Sequence, residues 1–355
     1  MRDIDQIRDA LAAAHSRGET VTLATVMFVE GSVYRGAGAR MVVDAGGETV
    51  GAVSGGCLEA DVVARAPEVL AAGVPELVRY DTRASDDVVL GLGLGCQGII
   101  DLLLEPLGGE SLAHAAAMYD RIARRRERVT LLTLVQSVNG LPIGTRALLD
   151  ERGNFIEGES AMLDIGHGTA REEIEPAVCV VICGGGTDAV PLARLAKVMG
   201  WHVTVIDHRA AFATTHRFPG ADTIVRANLV DDSAALGGKV HLDQRTMAVV
   251  MAHSASHDRA YLHAMLSAKA AYIGVLGPRR RTLELLGADV AADSDGLPPS
   301  VHSPVGLDLG AETPDEIALA IVAEIAAVST GRSGGMLRQR QGPIHDRRVI
   351  TVVAP

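Results

Sequence analysis

Val178-Cys179-Val180-Val181-Ile182-Cys183-Gly184-Gly185-Gly186-Thr187-Asp188-Ala189 sets an apolar run against a glycine-rich turn and then residues that suit a helix. Strand, G-x-G-x-x-A turn and helix in that order are the context of a dinucleotide fingerprint, where glycines admit a pyrophosphate to a helix N-terminus. Asp207 closes the next apolar run, His202 to Ile206, and falls 23 residues after Gly184, where a ribose-binding carboxylate belongs. Asp188 opposes that ligand, because a negative charge in the first helical turn repels a pyrophosphate. The fold follows from the pattern whether or not a nucleotide binds. If one does, NAD(P) or another nucleotide, its candidate contacts are Gly184, Gly186, Asp207 and His253.

Downstream, further strands are expected at Thr223 to Val225, Met247 to Met251 and Ala271 to Val275, with helices between several of them, as a parallel doubly wound sheet requires. Thr313-Pro314-Asp315-Glu316 reads as a helix start, with an N-cap threonine, a proline at the first helical position and a glutamate closing a capping box. His253, His257-Asp258 and Gly277-Pro278-Arg279-Arg280-Arg281 come after later strands, where solvated loops and helix starts are the simpler reading. No serine nucleophile elbow, HExxH or Walker lysine occurs.

Upstream, Ile7, Leu11 and Ala14 share a helical face, and strands are expected at 21–26 and 40–44. A helix over about 112–127 and strands at 129–134 and 146–150 repeat the pattern, with the strand starts displaced by 108 and 106 residues. Asp44-Ala45-Gly46-Gly47 and Asp150-Glu151-Arg152-Gly153 close the second strand of each copy alike. The first 172 residues therefore read as a mixed α/β domain with a degenerate internal repeat, although two unrelated hairpins would look similar. A Rossmann-like domain then spans 173–331. The polar segment 157–175 is the expected linker, and the basic tail 332–355 is expected to be mobile unless Val349 to Val353 adds as an edge strand.

The two copies differ in the loops and turns that they carry. The first has Gly31-Ser32-Val33-Tyr34-Arg35-Gly36-Ala37-Gly38-Ala39-Arg40, whose amides and guanidinium groups suit a phosphate, or equally a flexible connection with solvated arginines. It also has Ser54-Gly55-Gly56-Cys57-Leu58-Glu59 ahead of a helix, a placement that favours a thiolate, although a small buried cysteine in a tight turn fits too. Leu90-Gly91-Leu92-Gly93-Leu94-Gly95-Cys96-Gln97-Gly98 alternates at period two, so one strand face is bare and admits either a flat ligand or a neighbouring element. Much of the glycine excess, 39 in 355 residues against a usual share of about 7%, lies in these runs.

Composition narrows the partners. A net charge of −11 and 3% aromatic residues argue against nucleic acid and against an anionic membrane surface. No apolar run reaches the roughly 18 residues of a membrane span and no signal peptide is visible, so a cytoplasmic protein is expected. Four cysteines, at 57, 96, 179 and 183, are too few for a disulfide scaffold and lack zinc-site spacing.

Segments Gly31 to Met41, Ser54 to Glu59, Tyr80-Asp81, Gly91 to Gly98, Tyr272 to Arg281 and Gly306 to Pro314 resemble the XdhC/CoxI family of xanthine dehydrogenase accessory factors, over about residues 10–335. The resemblance implies a chaperone rather than a catalyst. Such a protein binds molybdenum cofactor, assists its sulfuration with a cysteine desulfurase, and inserts it into a molybdenum hydroxylase apo-enzyme; a homodimer is expected. Cofactor contacts are then expected at Ser32, Arg35, Arg40, Ser54, Gly55, Gly56, Cys57, Gly93, Gly95, Cys96 and Gln97, with Cys57 or Cys96 touching molybdenum or relaying sulfur. The alternatives are an NAD(P)-dependent oxidoreductase, and a dimeric scaffold or sensor with a vestigial nucleotide site.

Overall fold

A computed structural model describes residues 2–31, 33–81, 98–287, 296–341 and 351–353. The chain forms two compact units that divide between Pro176 and Ala177, with the terminal strand Thr351–Val353 joining the first. Among the described residues no helix is long and apolar enough to cross a membrane.

The first unit runs α1 (Arg2–Ser16), β1 (Val21–Gly31), β2 (Arg40–Asp44), β3 (Thr49–Gly51), α2 (Glu59–Ala72), β4 (Glu76–Asp81), β5 (Gly98–Leu107), α3 (Gly109–Arg124), β6 (Val129–Leu134), β7 (Arg146–Leu149), β8 (Phe155–Gly158) and β9 (Thr169–Ile174). Its strands make two antiparallel five-stranded sheets. One has the order β3-β2-β1-β5-β4; the other is β8-β7-β6-β9, extended at its edge by the terminal strand Thr351–Val353. The order β3-β2-β1-β5 corresponds to β8-β7-β6-β9, which is the internal repeat; the fifth strand of each sheet comes from a different place in the chain. Thr25 lies opposite Arg40 and Leu103, and Thr133, 108 residues on, lies opposite Arg146 and Ala170. Ile7 and Leu11 of α1 and Leu112 and Tyr119 of α3 share one core with Leu23 and Val42 of the first sheet and Leu131 and Leu148 of the second. Each helix thus buries an i, i+4 or i, i+7 stripe against both copies.

The segment 157–175 is not a linker. It contains β9, whose residues pair with β6 from Val129↔Ile174 to Leu134↔Thr169. The polar Arg171-Glu172-Glu173 belongs to this strand because Glu172 meets a buried partner in the first copy, Arg40.

The second unit runs β10 (Cys179–Cys183), α4 (Ala189–Val198), β11 (His202–Asp207), β12 (Thr223–Arg226), β13 (Thr246–Val250), α5 (Ala255–Ser267), β14 (Tyr272–Val275), α6 (Arg279–Leu286), β15 (Val301–His302) and α7 (Pro314–Ser329), the terminal strand of the chain being β16. Its six described strands are parallel in the order β12-β11-β10-β13-β14-β15. Counted within the unit this is 3-2-1-4-5-6, the Rossmann order with its switch point between β10 and β13. Val180 and Ile182 face the layer that includes Leu192 and Ile321, while Val181 and Cys183 face the layer that includes Leu262 and Leu285. Both sheet faces are therefore covered, which is why the strands read as unbroken apolar runs.

Candidate functional site

The turn between β3 and α2 is organised by one carboxylate. Glu59 Oε1 accepts the amides of Ser54 at 2.8 Å and Val53 at 3.2 Å; its Oε2 accepts the Gly56 amide at 3.0 Å and the Ser54 hydroxyl. Ser54 Oγ in turn accepts the Leu58 amide at 3.0 Å. Burial alone would raise the Glu59 carboxyl, but the donors from Ser54 and Gly56 outweigh it and hold the group below its ordinary value. Gly56 takes a φ of 109°, a conformation that favours glycine, and this bend presents half-buried Cys57 just ahead of α2. The amides expected to meet a ligand here are thus partly engaged by the turn's own glutamate, and Ser54 is a member of that internal network rather than a free ligand contact.

Loop 33–39 lies against this turn. A Cβ built on Gly55 would stand 3.0 Å from Cγ of Tyr34, so the phenol ring rests directly on the Gly55 backbone. Ala37, Ala39, Val53 and Leu58 share a buried cluster, with Val33 and Cys57 packed at its margin. The structure therefore brings Tyr34 against Gly55, with Arg35 next to Tyr34 in the loop and Gly56 and Cys57 next to Gly55 in the turn. Arg35 is 30% exposed and its Nη2 pairs with Asp3, leaving it the loop arginine that an anion can approach.

Arg40 corrects the expectation. It is 2% exposed; Nε donates to Tyr119 Oη at 2.8 Å, Nη1 to the Gly38 carbonyl at 2.7 Å and to Glu172 Oε1 at 3.1 Å, and Nη2 to Glu172 Oε2. Burial works against its charge, and Glu172 and Tyr119 more than offset that. This guanidinium is a frame member, with each of its three nitrogens already bonded within the fold. Tyr80 is likewise structural: its hydroxyl donates to Asp61 on α2 at 2.5 Å, tying helix to strand. Ser32, Gly93, Gly95, Cys96 and Gln97 lie outside the described residues.

At the switch point of the second unit a Cβ on Gly186 would stand 3.7 Å from His253, but Asp207 and His253 are each engaged by neighbouring protein groups. Asp207 is fully buried: Oδ2 accepts the Gly185 amide at 2.7 Å and Arg209 Nη2 at 2.7 Å, and Oδ1 accepts the Arg209 amide at 2.7 Å and its Nε at 2.9 Å. Burial alone would raise this carboxyl; Arg209 and the Gly185 amide hold it low. A Cβ on Gly185 would stand 2.6 Å from the Phe212 carbonyl oxygen, so segment 209–218 closes over the glycine turn. Arg209 and Arg217 flank the Phe212 ring at 3.7 and 4.9 Å, and Arg217 donates to the Gly185 carbonyl at 3.2 Å. Gly184 is required by a different neighbour, since its Cβ would stand 2.6 Å from the Ala252 backbone. His253 lies 3.4 Å from Asp188. These residues do not fit a dinucleotide held in the fingerprint's manner, because the carboxylate for the ribose and the amide for the pyrophosphate are bonded to each other. Cys183 beneath the turn is fully buried, and burial pushes its thiol up.

Sequence reading passed over Tyr34, Glu59 and Glu172 as functional positions. Only Glu59 carried a usable signal, a carboxylate five residues after Ser54 in the first turn of a helix.

Comparison with known proteins agrees with this division. Residues 14–81 match the XdhC and CoxI family, and residues 180–325 match the XdhC Rossmann domain. A relative from Bacillus subtilis (strain 168), described as a probable xanthine dehydrogenase subunit, is 35% identical over 323 residues, 86% of this chain and 92% of that one. The molybdenum cofactor insertion chaperone PaoD of Escherichia coli (strain K12) is 27% identical over 325 residues, 91% of this chain and 87% of the relative. A crystal structure described as a xanthine dehydrogenase from Bacillus halodurans shares the fold at a TM-score of 0.78 with 29% identity, covering 93% of this chain and 96% of that one. With both units matched and 35% identity along nearly the whole of a relative, the chain belongs to the XdhC and CoxI family.

Proposed function

We propose that this protein is an accessory factor for a xanthine dehydrogenase-type molybdenum hydroxylase, receiving molybdenum cofactor on its first unit. The observation that carries the reading is the asymmetry of the duplication. Both copies keep the same sheet, but only the first adds the loop with Tyr34 and Arg35 and the turn with Cys57. A frame kept twice and a cysteine turn kept once is what a single cargo site requires. The relatives' names, a cofactor insertion chaperone and a xanthine dehydrogenase subunit, support the same reading.

Molybdopterin is a flat, phosphate-bearing tricycle whose dithiolene holds an oxo-metal. Arg35 takes the phosphate in exchange for Asp3, the Gly55-Gly56 backbone meets the pterin face, and Cys57 meets the metal or passes sulfur to it, with Ser32, Gly93, Gly95, Cys96 and Gln97 as further contacts. A cysteine desulfurase as sulfur donor, a homodimer and a cytoplasmic setting complete the proposal. For the second unit, the bond between Asp207 and Gly185 favours a docking or dimerisation role over a nicotinamide-dependent oxidation.

The test is purification from cells that make the cofactor, followed by assay of bound pterin and molybdenum. Wild type should carry both, and a Cys57→Ala, Cys96→Ala variant should lose molybdenum or its sulfido ligand. Wild type without pterin sinks the reading; undiminished loading of the double variant sinks the role of the thiols.

A further inference from the structure

Each copy of the duplicated frame supplies the counter-ion for the other. Arg40 of the first copy pairs with Glu172 of the second, and Arg146, 106 residues after Arg40, pairs with Glu105 of the first. Glu105 lies two residues beyond Leu103, the partner of Thr25, and Glu172 lies two residues beyond Ala170, the partner of Thr133. The pairs are thus related by the duplication itself. Their surroundings match too: a Cβ on Gly38 would stand 2.5 Å from Glu172 Oε1, and one on Gly144 would stand 2.7 Å from Glu105 Oε1. Each arginine also turns back on its own loop, to the Gly38 carbonyl at 2.7 Å or the Gly144 carbonyl at 3.5 Å.

We propose that Glu172 is a positioning residue for the cargo loop, so that the second copy serves as a clamp for the first; this rests on the proposed roles of Arg35 and Cys57. Glu172 fixes both ends of one contact. Its carboxylate holds the Arg40 guanidinium and fills the space beside Gly38, and Arg40 holds the Gly38 carbonyl, so the loop that carries Tyr34 and Arg35 has one available path. Ala170, two residues before Glu172, packs in the same cluster as Ala37, Ala39 and Leu58, as do Val135 and Ile143 of the second copy at its margin. Tyr34 transmits the placement to the cysteine turn through Gly55. The loop that Glu105 holds, 135–145, has no cysteine. The demands of cargo binding therefore bear on one of the two pairs that the duplication relates.

That symmetry supplies the control. Glu172→Gln and Glu105→Gln remove the same charge from sites that the duplication relates, and each should lower the thermal midpoint. Pterin and molybdenum bound per folded molecule should fall about fivefold or more in Glu172→Gln and stay at the wild-type level in Glu105→Gln, since small misplacement of a binding group is costly. The rate of iodoacetamide labelling of Cys57, read by peptide mass spectrometry, should change several-fold in Glu172→Gln alone. If either single variant does not fold, the paired replacements Arg40→Met with Glu172→Met and Arg146→Met with Glu105→Met carry the same comparison, because they leave no buried charge unpaired. Equal changes in the mirrored variants, or wild-type loading and labelling in Glu172→Gln, would overturn the clamp. Wild type lacking pterin overturns the accessory reading, and the labelling rates then decide the clamp by themselves.

Discussion

Asp207 Oδ2 and the Gly185 amide, 2.7 Å apart, bond to each other the two groups that a dinucleotide-binding turn would offer to its ligand. Isothermal calorimetry with NADH and NADPH should accordingly show no saturable binding below about 1 mM, where binding energy is only about 4 kcal/mol. Submillimolar binding abolished by Asp207→Ala would show that the turn opens and that the carboxylate serves the ribose after all.

Glu59 holds the cysteine turn through four donor groups, and its replacement by glutamine, which keeps one acceptor oxygen and deprives the Gly56 amide and the Ser54 hydroxyl of theirs, should destabilise the protein by about 1 kcal/mol. The pH dependence has a definite sign. The folded carboxyl is held below its unfolded value, so its contribution is complete above about pH 4.3 and fades as pH falls through the folded value. Urea denaturation of wild type and Glu59→Gln at stepped pH should show the gap between them closing in acid. A gap that widens in acid would refute the assignment.

Gly38 and Gly144 have φ of 88° and 86°, and each faces a carboxylate across the duplication. Alanine at either position should cost about 1–3 kcal/mol through backbone strain and steric contact. Gly36 has no atom of the described residues within 4 Å of its Cβ position and no positive φ, so Gly36→Ala should be neutral or slightly stabilising. Thermal melts of the three variants check the ranking, which fails if Gly36→Ala is the most destabilised.

Arg146 is 12% and Glu105 4% exposed, so removing one partner leaves an uncompensated buried charge. Arg146→Met alone should lose about 3–5 kcal/mol, and adding Glu105→Met should restore most of it. Chemical denaturation of the single and double variants measures the coupling; additive losses would show that the pair is not coupled.

Much of the fold was legible because its signals are local. The apolar run 178–182 and its glycine turn, the face formed by Ile7, Leu11 and Ala14, and the capping box in which Thr313 and Glu316 bond each other's backbone are all contained within a few residues. The 108- and 106-residue spacings disclosed the duplication for the same reason. Reading failed where the decisive partner is remote. Arg171-Glu172-Glu173 looks solvated until Arg40 is known to lie opposite, and Arg40 looks like an anion ligand until Glu172 is known to hold it. Asp207 misled in the same way, since the partner that closes it off from a ribose is the Gly185 amide, 22 residues earlier in the chain.

The exchange of counter-ions also sets an order of events during synthesis. Arg40 leaves the ribosome 132 residues before Glu172, a delay on the order of ten seconds at usual elongation rates. From the completion of β5 onward the first sheet has its strands but not the carboxylate that seats its buried arginine. The cysteine turn has its own bonds to Glu59 as soon as α2 begins, whereas the loop that carries Tyr34 and Arg35 gains the counter-ion of its buried arginine only after β9 has been made.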